Sequence, residues 1–173
     1  MTPKSASVGS TLVFGASSQI GYCLLPMLSA EGVRVIAVSR SPQQDREQGA
    51  HWLRGELPER LQGDFSEIES IACFAPLDAL AAWISNTRLP ALERVVATSS
   101  MSAESKRQSP VAAERALAQR LREGEQTLMR ACESRGAVCT ILRPTLIYGV
   151  GLDKSLTPLA RRAAKTHVFV LPP

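Results

Sequence analysis

The sequence lacks the features that are typical of membrane, secreted and metal-binding proteins. Its 173 residues contain no apolar run near the roughly 20 residues that a membrane-spanning helix needs, and positions 1–9 lack the apolar segment of a signal peptide. The cysteines do not have metal-ligand spacing. We therefore expect a cytoplasmic protein without a membrane partner or a metal site. The small, buried, reduced cysteines of such a protein would be Cys23, Cys73, Cys132 and Cys139.

The chain also lacks the clusters of basic and aromatic residues that are typical of nucleic-acid-binding surfaces. Residues 1–103 contain 8 Lys and Arg against 10 Asp and Glu, whereas residues 104–173 contain 12 against 6. Acidic residues are interleaved with the basic ones along one predicted helix, and this pattern indicates a solvated helix face. We expect no nucleic-acid partner, and the surplus positive charge is better suited to a small anionic substrate.

The segment at positions 11–21 predicts a phosphate-binding turn. Its sequence, TLVFGASSQIG, reads as a short apolar strand, a turn of small residues and the first turn of a helix. Glycines let the backbone turn tightly and approach a pyrophosphate, and the free N–H groups and positive dipole end of the helix favour an anion. The predicted cofactor contacts of this segment are Gly15, Ser17, Ser18, Gln19, Ile20 and Gly21.

The residues after the second predicted strand, at 33–38, indicate which dinucleotide binds. A dinucleotide-binding fold places Asp or Glu there for the ribose hydroxyls of NAD, or an arginine for the 2′-phosphate of NADP. Here the strand is followed by Ser39, Arg40 and Ser41, with no acidic residue. The sequence therefore predicts NADP in preference to NAD, with Arg40 and Ser41 as contacts. The alternative is that Arg40 is a solvated loop residue.

Two segments resemble the atypical and extended short-chain dehydrogenase/reductases, the NAD(P)-dependent epimerase/dehydratase superfamily, which includes nucleoside-diphosphate-sugar epimerases. Positions 15–21 have the form of its GxxGxxG motif with Ser18 in place of the middle glycine, and positions 143–149, RPTLIYG, resemble its RPxxxYG segment. The resemblance covers nearly the whole chain. Together with the alternation of strands and helices, it implies a three-layer α/β fold of the Rossmann type, with a mostly parallel sheet of about six strands and helices on both faces.

The expected elements follow from apolar patterning. Strands are predicted near 11–14, 33–38, 51–54, 70–75, 94–100 and 137–142, and helices near 19–31, 77–84, 110–134 and 156–165, with a marginal helix at 43–49. The resemblance implies further cofactor contacts at the ends of the later strands. These are Glu56, Leu57, Phe74, Ala75, Pro76, Thr98, Ser99 and Pro144. Gly63 and Asp64 offer a rival alignment for Glu56 and Leu57.

The catalytic tyrosine and lysine of this family are missing. The resemblance places Leu117 and Leu121 at their positions. The chain has only two tyrosines, and four residues after them stand Pro26 and Leu152, so YxxxK occurs nowhere. General acid–base catalysis contributes roughly 10²–10⁴ in rate, and leucine supplies none of it.

Ser100 is the remaining catalytic candidate. It is the last of three hydroxyl residues after the fifth strand, and the resemblance implies that it polarises a substrate oxygen. The alternative is that it bonds to the backbone at the strand end. Glu114 and Arg120 are further candidates for replacing the missing acid.

We expect residues 1–150 to form an NAD(P)-binding Rossmann domain and residues 151–173 to begin a truncated or vestigial substrate-binding region. The resemblance implies a dinucleotide partner, a small anionic or sugar-nucleotide substrate, and a homodimer. Two functions stay open. One is an NADP-preferring binding protein with degraded or absent catalysis, such as a cofactor-sensing regulator. The other is an active NADP-dependent oxidoreductase or epimerase when the segment is part of a longer chain.

Overall fold

The computed structural model describes residues 9–41, 49–58, 61–153 and 155–168. The strands are β1 (Ser10–Phe14), β2 (Arg34–Ser39), β3 (Ala50–Arg54), β4 (Ile68–Cys73), β5 (Arg94–Thr98) and β6 (Val138–Leu142). The helices are α1 (Gln19–Ala30), α2 (Leu77–Asn86), α3 (Ser102–Ser105), α4 (Ala112–Glu133) and α5 (Leu156–Thr166). Most of the marginal helix predicted at 43–49 lies outside the described residues.

All strand pairs of the sheet are parallel, in the order β3-β2-β1-β4-β5-β6. The predicted Rossmann-type fold is therefore confirmed. The chain moves outward from β1 in one direction through β2 and β3, then returns to the other side of β1 with β4. The strand order thus reverses between β1 and β4, and in such sheets a ligand crevice forms at the carboxyl ends of the strands at this point.

Helices α2 and α4 cover one face of the sheet and enclose the larger core. Trp83 of α2 is buried, as its apolar context predicts, and its ring centroid lies 5.0 Å from that of Phe14 and 5.3 Å from that of Phe65, both edge-on. Gly124 of α4 faces α2, and a Cβ atom there would lie 3.5 Å from the Cβ of Leu77, an ordinary van der Waals contact. This packing holds the ends of β1 and β4 in fixed positions.

Helix α1 packs on the opposite face, over β1 and β2. Leu25 is buried there with Val13, Val35 and Ala37. On the same face of the sheet, β5 and β6 carry large apolar side chains that are exposed. These are Val96, Val138 and Leu142.

The cysteines only partly follow the prediction. Cys73 and Cys132 are buried, and burial raises the pKa of the Cys73 thiol to about 12. Cys139 is partly buried. Cys23 is exposed, so the prediction is wrong there, because the buried stripe of α1 passes through Leu25 and a residue two positions away lies on the far side of a helix.

Candidate dinucleotide site

A cleft of about 570 Å³ opens at the carboxyl ends of β1, β2 and β4, where the strand order reverses. Nine of the cofactor residues predicted from sequence line this cleft. They are Gly15, Ser17, Ser18, Arg40, Glu56, Leu57, Phe74, Ala75 and Pro76. The rival pair does not line it, and Asp64 instead accepts a hydrogen bond from the Ser66 backbone N–H at 2.9 Å.

Five further residues line the cleft that sequence reasoning did not select. They are Phe14, Val38, Ser39, Gly55 and Ala79. Phe14 ends β1, Val38 and Ser39 end β2, and Gly55 follows β3. A rule that selects the last residue of each predicted parallel strand and the residue after it would have found all four. Ala79, in the first turn of α2, gives no such signal.

The turn after β1 requires glycine at both of its predicted positions. Gly15 has φ +72°, and a Cβ atom there would lie 3.2 Å from the backbone carbonyl carbon of Phe74. A Cβ atom at Gly21 would lie 2.2 Å from the carbonyl oxygen of Ala16. The turn is therefore packed directly against the start of α1 and the end of β4. A phosphate-bearing ligand in the cleft would meet backbone there without an intervening side chain.

Ser18, which the sequence resemblance places at the middle position of a three-glycine motif, has no backbone strain. Its φ is −69° and its hydroxyl oxygen accepts the Gly21 N–H at 3.2 Å, so it caps α1. The predicted contacts Gln19, Ile20 and Gly21, in the first turn of α1, do not line the cleft. The unpaired N–H groups of a first helical turn and the helix dipole favour an anion at this end of α1.

The hydroxyl of Ser39 supports the turn that carries Arg40. It lies 2.8 Å from the Ser17 hydroxyl and accepts the Ser41 backbone N–H at 3.1 Å. Ser41 itself does not line the cleft. Arg40 extends from this turn toward Glu56, with 3.9 Å between its nitrogen and the carboxylate oxygen, and the two side chains are 79% and 50% exposed.

The residues predicted at the ends of β5 and β6 do not line the cleft. Thr98, Ser99, Ser100 and Pro144 lie further along the sheet. The Ser100 hydroxyl oxygen accepts the Ser102 backbone N–H at 3.2 Å, at the start of α3. Ser100 thus makes the strand-end backbone bond that was the alternative to its catalytic role. The short helix α3 (Ser102–Ser105), which the sequence analysis did not predict, follows it directly.

The ion pair between Glu125 and Arg143 lies beside the hydroxyl segment, which consists of Thr98, Ser99 and Ser100. Glu125 of α4 is only 3% exposed and accepts two hydrogen bonds from the Arg143 guanidinium, at 2.9 and 2.5 Å. Arg143 also reaches Glu104 of α3 at 3.1 Å. The hydrogen bond from Arg143 lowers the pKa of Glu125, and the Ser99 hydroxyl, which lies beside it but outside hydrogen-bond geometry, adds to this. The carboxylate is therefore ionised and joins α3, α4 and β6.

The candidate replacements for the missing acid have other environments. Glu114 accepts hydrogen bonds from Lys106 at 2.7 Å and from the Ser109 hydroxyl at 2.6 Å, and the bond from Lys106 lowers the pKa of Glu114. A carboxyl group with a lowered pKa is a poor proton donor near pH 7. Arg120 is exposed on α4. Leu117 and Leu121 are partly buried on the same helix.

The described residues contain no cluster of three or more His, Cys, Asp or Glu arranged to hold a metal ion. Among the helices of the described segments, none is both long enough and apolar enough to cross a membrane.

No protein-family model matches the sequence, and no curated protein matches it. The fold is similar to that of several solved structures. The structure of MoeE5 in complex with UDP-glucuronic acid and NAD matches with a TM-score of 0.67 and 21% identity, over 88% of this chain and 60% of that one. UDP-N-acetylglucosamine 4-epimerase from Bacillus cereus matches with a TM-score of 0.66 and 16% identity, over 89% and 61%.

A putative NAD-dependent epimerase/dehydratase from Bacillus halodurans matches with a TM-score of 0.59 and 20% identity, over 83% of this chain and 74% of that one. The chain thus spans about 60% of the length of the first two proteins. These likenesses establish that the chain has the fold of epimerase and reductase structures.

Proposed function

We propose that this chain is an NADP-preferring dinucleotide-binding protein of the epimerase/dehydratase type, with degraded or absent catalysis. The observation that carries the proposal is that the glycine turn, the start of α1 and Arg40 meet at one cleft at the reversal of strand order. The solved structure of MoeE5, which has a similar fold, contains NAD. The preference for NADP depends on Arg40, which is the residue type that pairs with a 2′-phosphate.

The residues of the cleft suit the parts of such a cofactor. Gly15 and the start of α1 would hold the pyrophosphate, because backbone amides and the helix dipole attract anions. Phe74, Ala75 and Pro76 give the cleft a largely apolar side at the end of β4. The riboses of the cofactor would lie beside them. Arg40 would pair with the 2′-phosphate. The bound dinucleotide would supply a hydride, whereas the chain contributes binding and orientation.

The substrate side supports a second function. Two solved structures of MoeE5, which has a similar fold, contain UDP-glucuronic acid and UDP-glucose. In the present chain, the Ser100 hydroxyl keeps its hydrogen for donation because its backbone bond uses only the oxygen. Within a longer chain, the same unit would serve an NADP-dependent oxidoreductase or epimerase that acts on a sugar nucleotide. Leu117 and Leu121, which cannot exchange protons, favour the non-catalytic function.

We also propose the division into a dinucleotide-binding unit at 1–150 and the start of a substrate-binding region at 151–173. Helix α5 supports it, because α5 follows the last strand and none of its described residues is buried. Homodimer formation and a cytoplasmic location remain predictions from the sequence.

Thermal unfolding with each cofactor tests the main proposal. A ligand at 100 times its Kd stabilises the native state by about 2.7 kcal/mol, and about 2–4 °C per kcal/mol is typical for this chain length. We expect NADPH to raise the Tm by about 5–10 °C at such a concentration, and NADH to raise it less.

The Arg40→Asp variant is the matched comparison. Its carboxylate repels the 2′-phosphate and accepts hydrogen bonds from ribose hydroxyls. The affinity for NADPH should therefore fall, whereas NADH should bind equally well or better. A protein whose Tm responds to neither nucleotide at millimolar concentration would overturn the binding proposal. Equal losses for both nucleotides would make Arg40 a structural residue.

A further inference from the structure

Arg40 and Arg54 line the same side pocket beside the candidate cofactor site. Strands β2 and β3 pair in the register that places Ser39 opposite Arg54, so Arg54 ends β3 beside the point where Arg40 follows β2. The Gly55 backbone N–H donates to the Ser39 carbonyl at 3.1 Å and extends the ladder past the strand ends. A side pocket of about 410 Å³ is lined by Arg40, Arg54, Gly55 and Glu56. It adjoins the main cleft, which shares all of these residues except Arg54.

The charges in this side pocket are poorly compensated. At the opposite edge of the sheet, Arg34 and Arg94 begin β2 and β5, and each makes a close ion pair, with Glu67 at 2.9 Å and with Glu93 at 2.8 Å. In the side pocket, Arg40 has only the 3.9 Å contact with Glu56, and Arg54 has no ion pair within the described ranges. Among the described residues, two positive charges thus face one carboxylate, in a concave site that adjoins the main cleft.

A phosphate monoester is the group that this arrangement fits. It is close to a dianion at pH 7, and guanidinium groups bind its oxygens through paired N–H donors. Glu56 has the opposite effect, because a carboxylate repels a phosphate but accepts hydrogen bonds from a ribose hydroxyl.

We propose that Arg54 and Arg40 form a two-arginine clamp for a phosphate on the adenosine ribose, and that Glu56 limits the preference for this phosphate. The proposal rests on the dinucleotide-binding function proposed above. In this clamp the arginines would favour NADP and Glu56 would favour NAD. It also assigns a role to Arg54, which gave no sequence signal because its approach to Arg40 depends on strand register.

Titrations with adenosine 2′,5′-bisphosphate and with AMP test the clamp, because these probes differ only in the 2′-phosphate. NADPH and NADH are titrated in parallel with the whole chain. Arg54→Ala should weaken the binding of the bisphosphate and of NADPH about tenfold. This is the low end for a hydrogen bond to a charged group, because the side chains are exposed. The affinities for AMP and NADH should stay within about twofold. Glu56→Gln should raise the affinity for the bisphosphate roughly threefold and lower the affinity for NADH.

Arg34→Ala is the matched control, since it removes an exposed strand arginine at the far edge of the sheet and should change no affinity beyond about twofold. Arg54→Lys keeps the charge without the planar fork and should show an intermediate loss, which covers the case in which Arg54→Ala fails to fold. Equal weakening of AMP and the bisphosphate by Arg54→Ala would overturn the clamp and leave the proposed function intact. Absence of all nucleotide binding to the unmodified chain would overturn both, and an unchanged Glu56→Gln profile would remove Glu56 from the proposal.

Discussion

Two glycines show how surroundings decide the effect of one added methyl group. A Cβ atom at Gly21 would meet the Ala16 carbonyl oxygen at 2.2 Å, whereas at Gly124, inside α4, the nearest contact would be an ordinary 3.5 Å to Leu77. We expect Gly21→Ala to lower the free energy of unfolding by about 1–3 kcal/mol, the usual cost of overpacking. Gly124→Ala should raise it by about 0.5–1 kcal/mol through helix propensity.

Urea unfolding followed by circular dichroism measures both changes. The two variants control for each other, because the chemical change is the same. A Gly21→Ala protein as stable as the unmodified chain would mean that the turn after β1 relaxes easily, and the close approach of backbone to a ligand would lose its structural basis.

At the level of single residues, sequence reasoning succeeded where a local pattern was sufficient. The spacing of Gly15 and Gly21 predicted the turn, although the reason that Gly21 must be glycine, its contact with Ala16, is visible only in three dimensions. Arg54 and Ser39 were missed because their roles depend on a neighbouring strand or on a hydroxyl partner. Cys23 was misassigned because composition alone does not say which side of a helix is buried.

The Arg143 guanidinium joins the elements α3, α4 and β6 through Glu104 and the buried Glu125. Replacing Arg143 with Met would leave the buried Glu125 carboxylate without its main partner. We expect the free energy of unfolding to fall by about 3 kcal/mol at pH 7, the lower end for a broken buried pair, because Arg143 is 38% exposed. Urea unfolding of Arg143→Met and Arg143→Met/Glu125→Gln measures this, and the double variant should recover part of the loss because no charge stays buried.

The same pair predicts a pH dependence. Arg143 lowers the pKa of Glu125 in the folded state, so the pair stabilises the fold above the unfolded pKa of about 4.3 and loses this effect as pH falls through the folded pKa. The destabilisation by Arg143→Met should therefore be smaller at pH 4 than at pH 7, since a protonated Glu125 costs less to bury. An equal loss at both pH values would show that Arg143 acts through packing.

Regular elements were predictable because apolar patterning is local. The six strands and the long helix were expected close to their observed positions. The Glu125–Arg143–Glu104 network was not, because its hydrogen bonds join residues 18 and 39 positions apart along the chain. The short helix α3 was not expected either. A carboxylate inside the apolar stripe of α4 was the available signal, since such a group requires a buried partner.

Across the whole molecule, the location of the cleft follows from strand order. Alternating strands and helices predicted a parallel sheet, but the reversal between β1 and β4 needed the resemblance or the structure to locate it. The cleft gathers the residues from β1 to β4, whereas the hydroxyl segment after β5 lies outside it. The proposed cofactor cleft and the hydroxyl residues Thr98, Ser99 and Ser100 thus lie in separate parts of the sheet edge.

This separation predicts that the chain holds a dinucleotide and yet turns over little or nothing. The sequence resemblance places Leu117 and Leu121 at the positions of a proton donor and its lysine, and the loss of acid–base assistance worth roughly 10²–10⁴ in rate corresponds to about 3–5 kcal/mol of barrier. We expect no NADPH oxidation above background with sugar nucleotides, quinones or aldehydes.

The Leu117→Tyr/Leu121→Lys variant should gain up to about 10²-fold in the rate of NADPH oxidation with any substrate that binds. Leu117→Phe/Leu121→Met, which has similar bulk without a proton donor, should gain nothing. Robust turnover by the unmodified chain that disappears in Ser100→Ala would overturn the prediction, because Ser100 and its neighbours would then carry the proton.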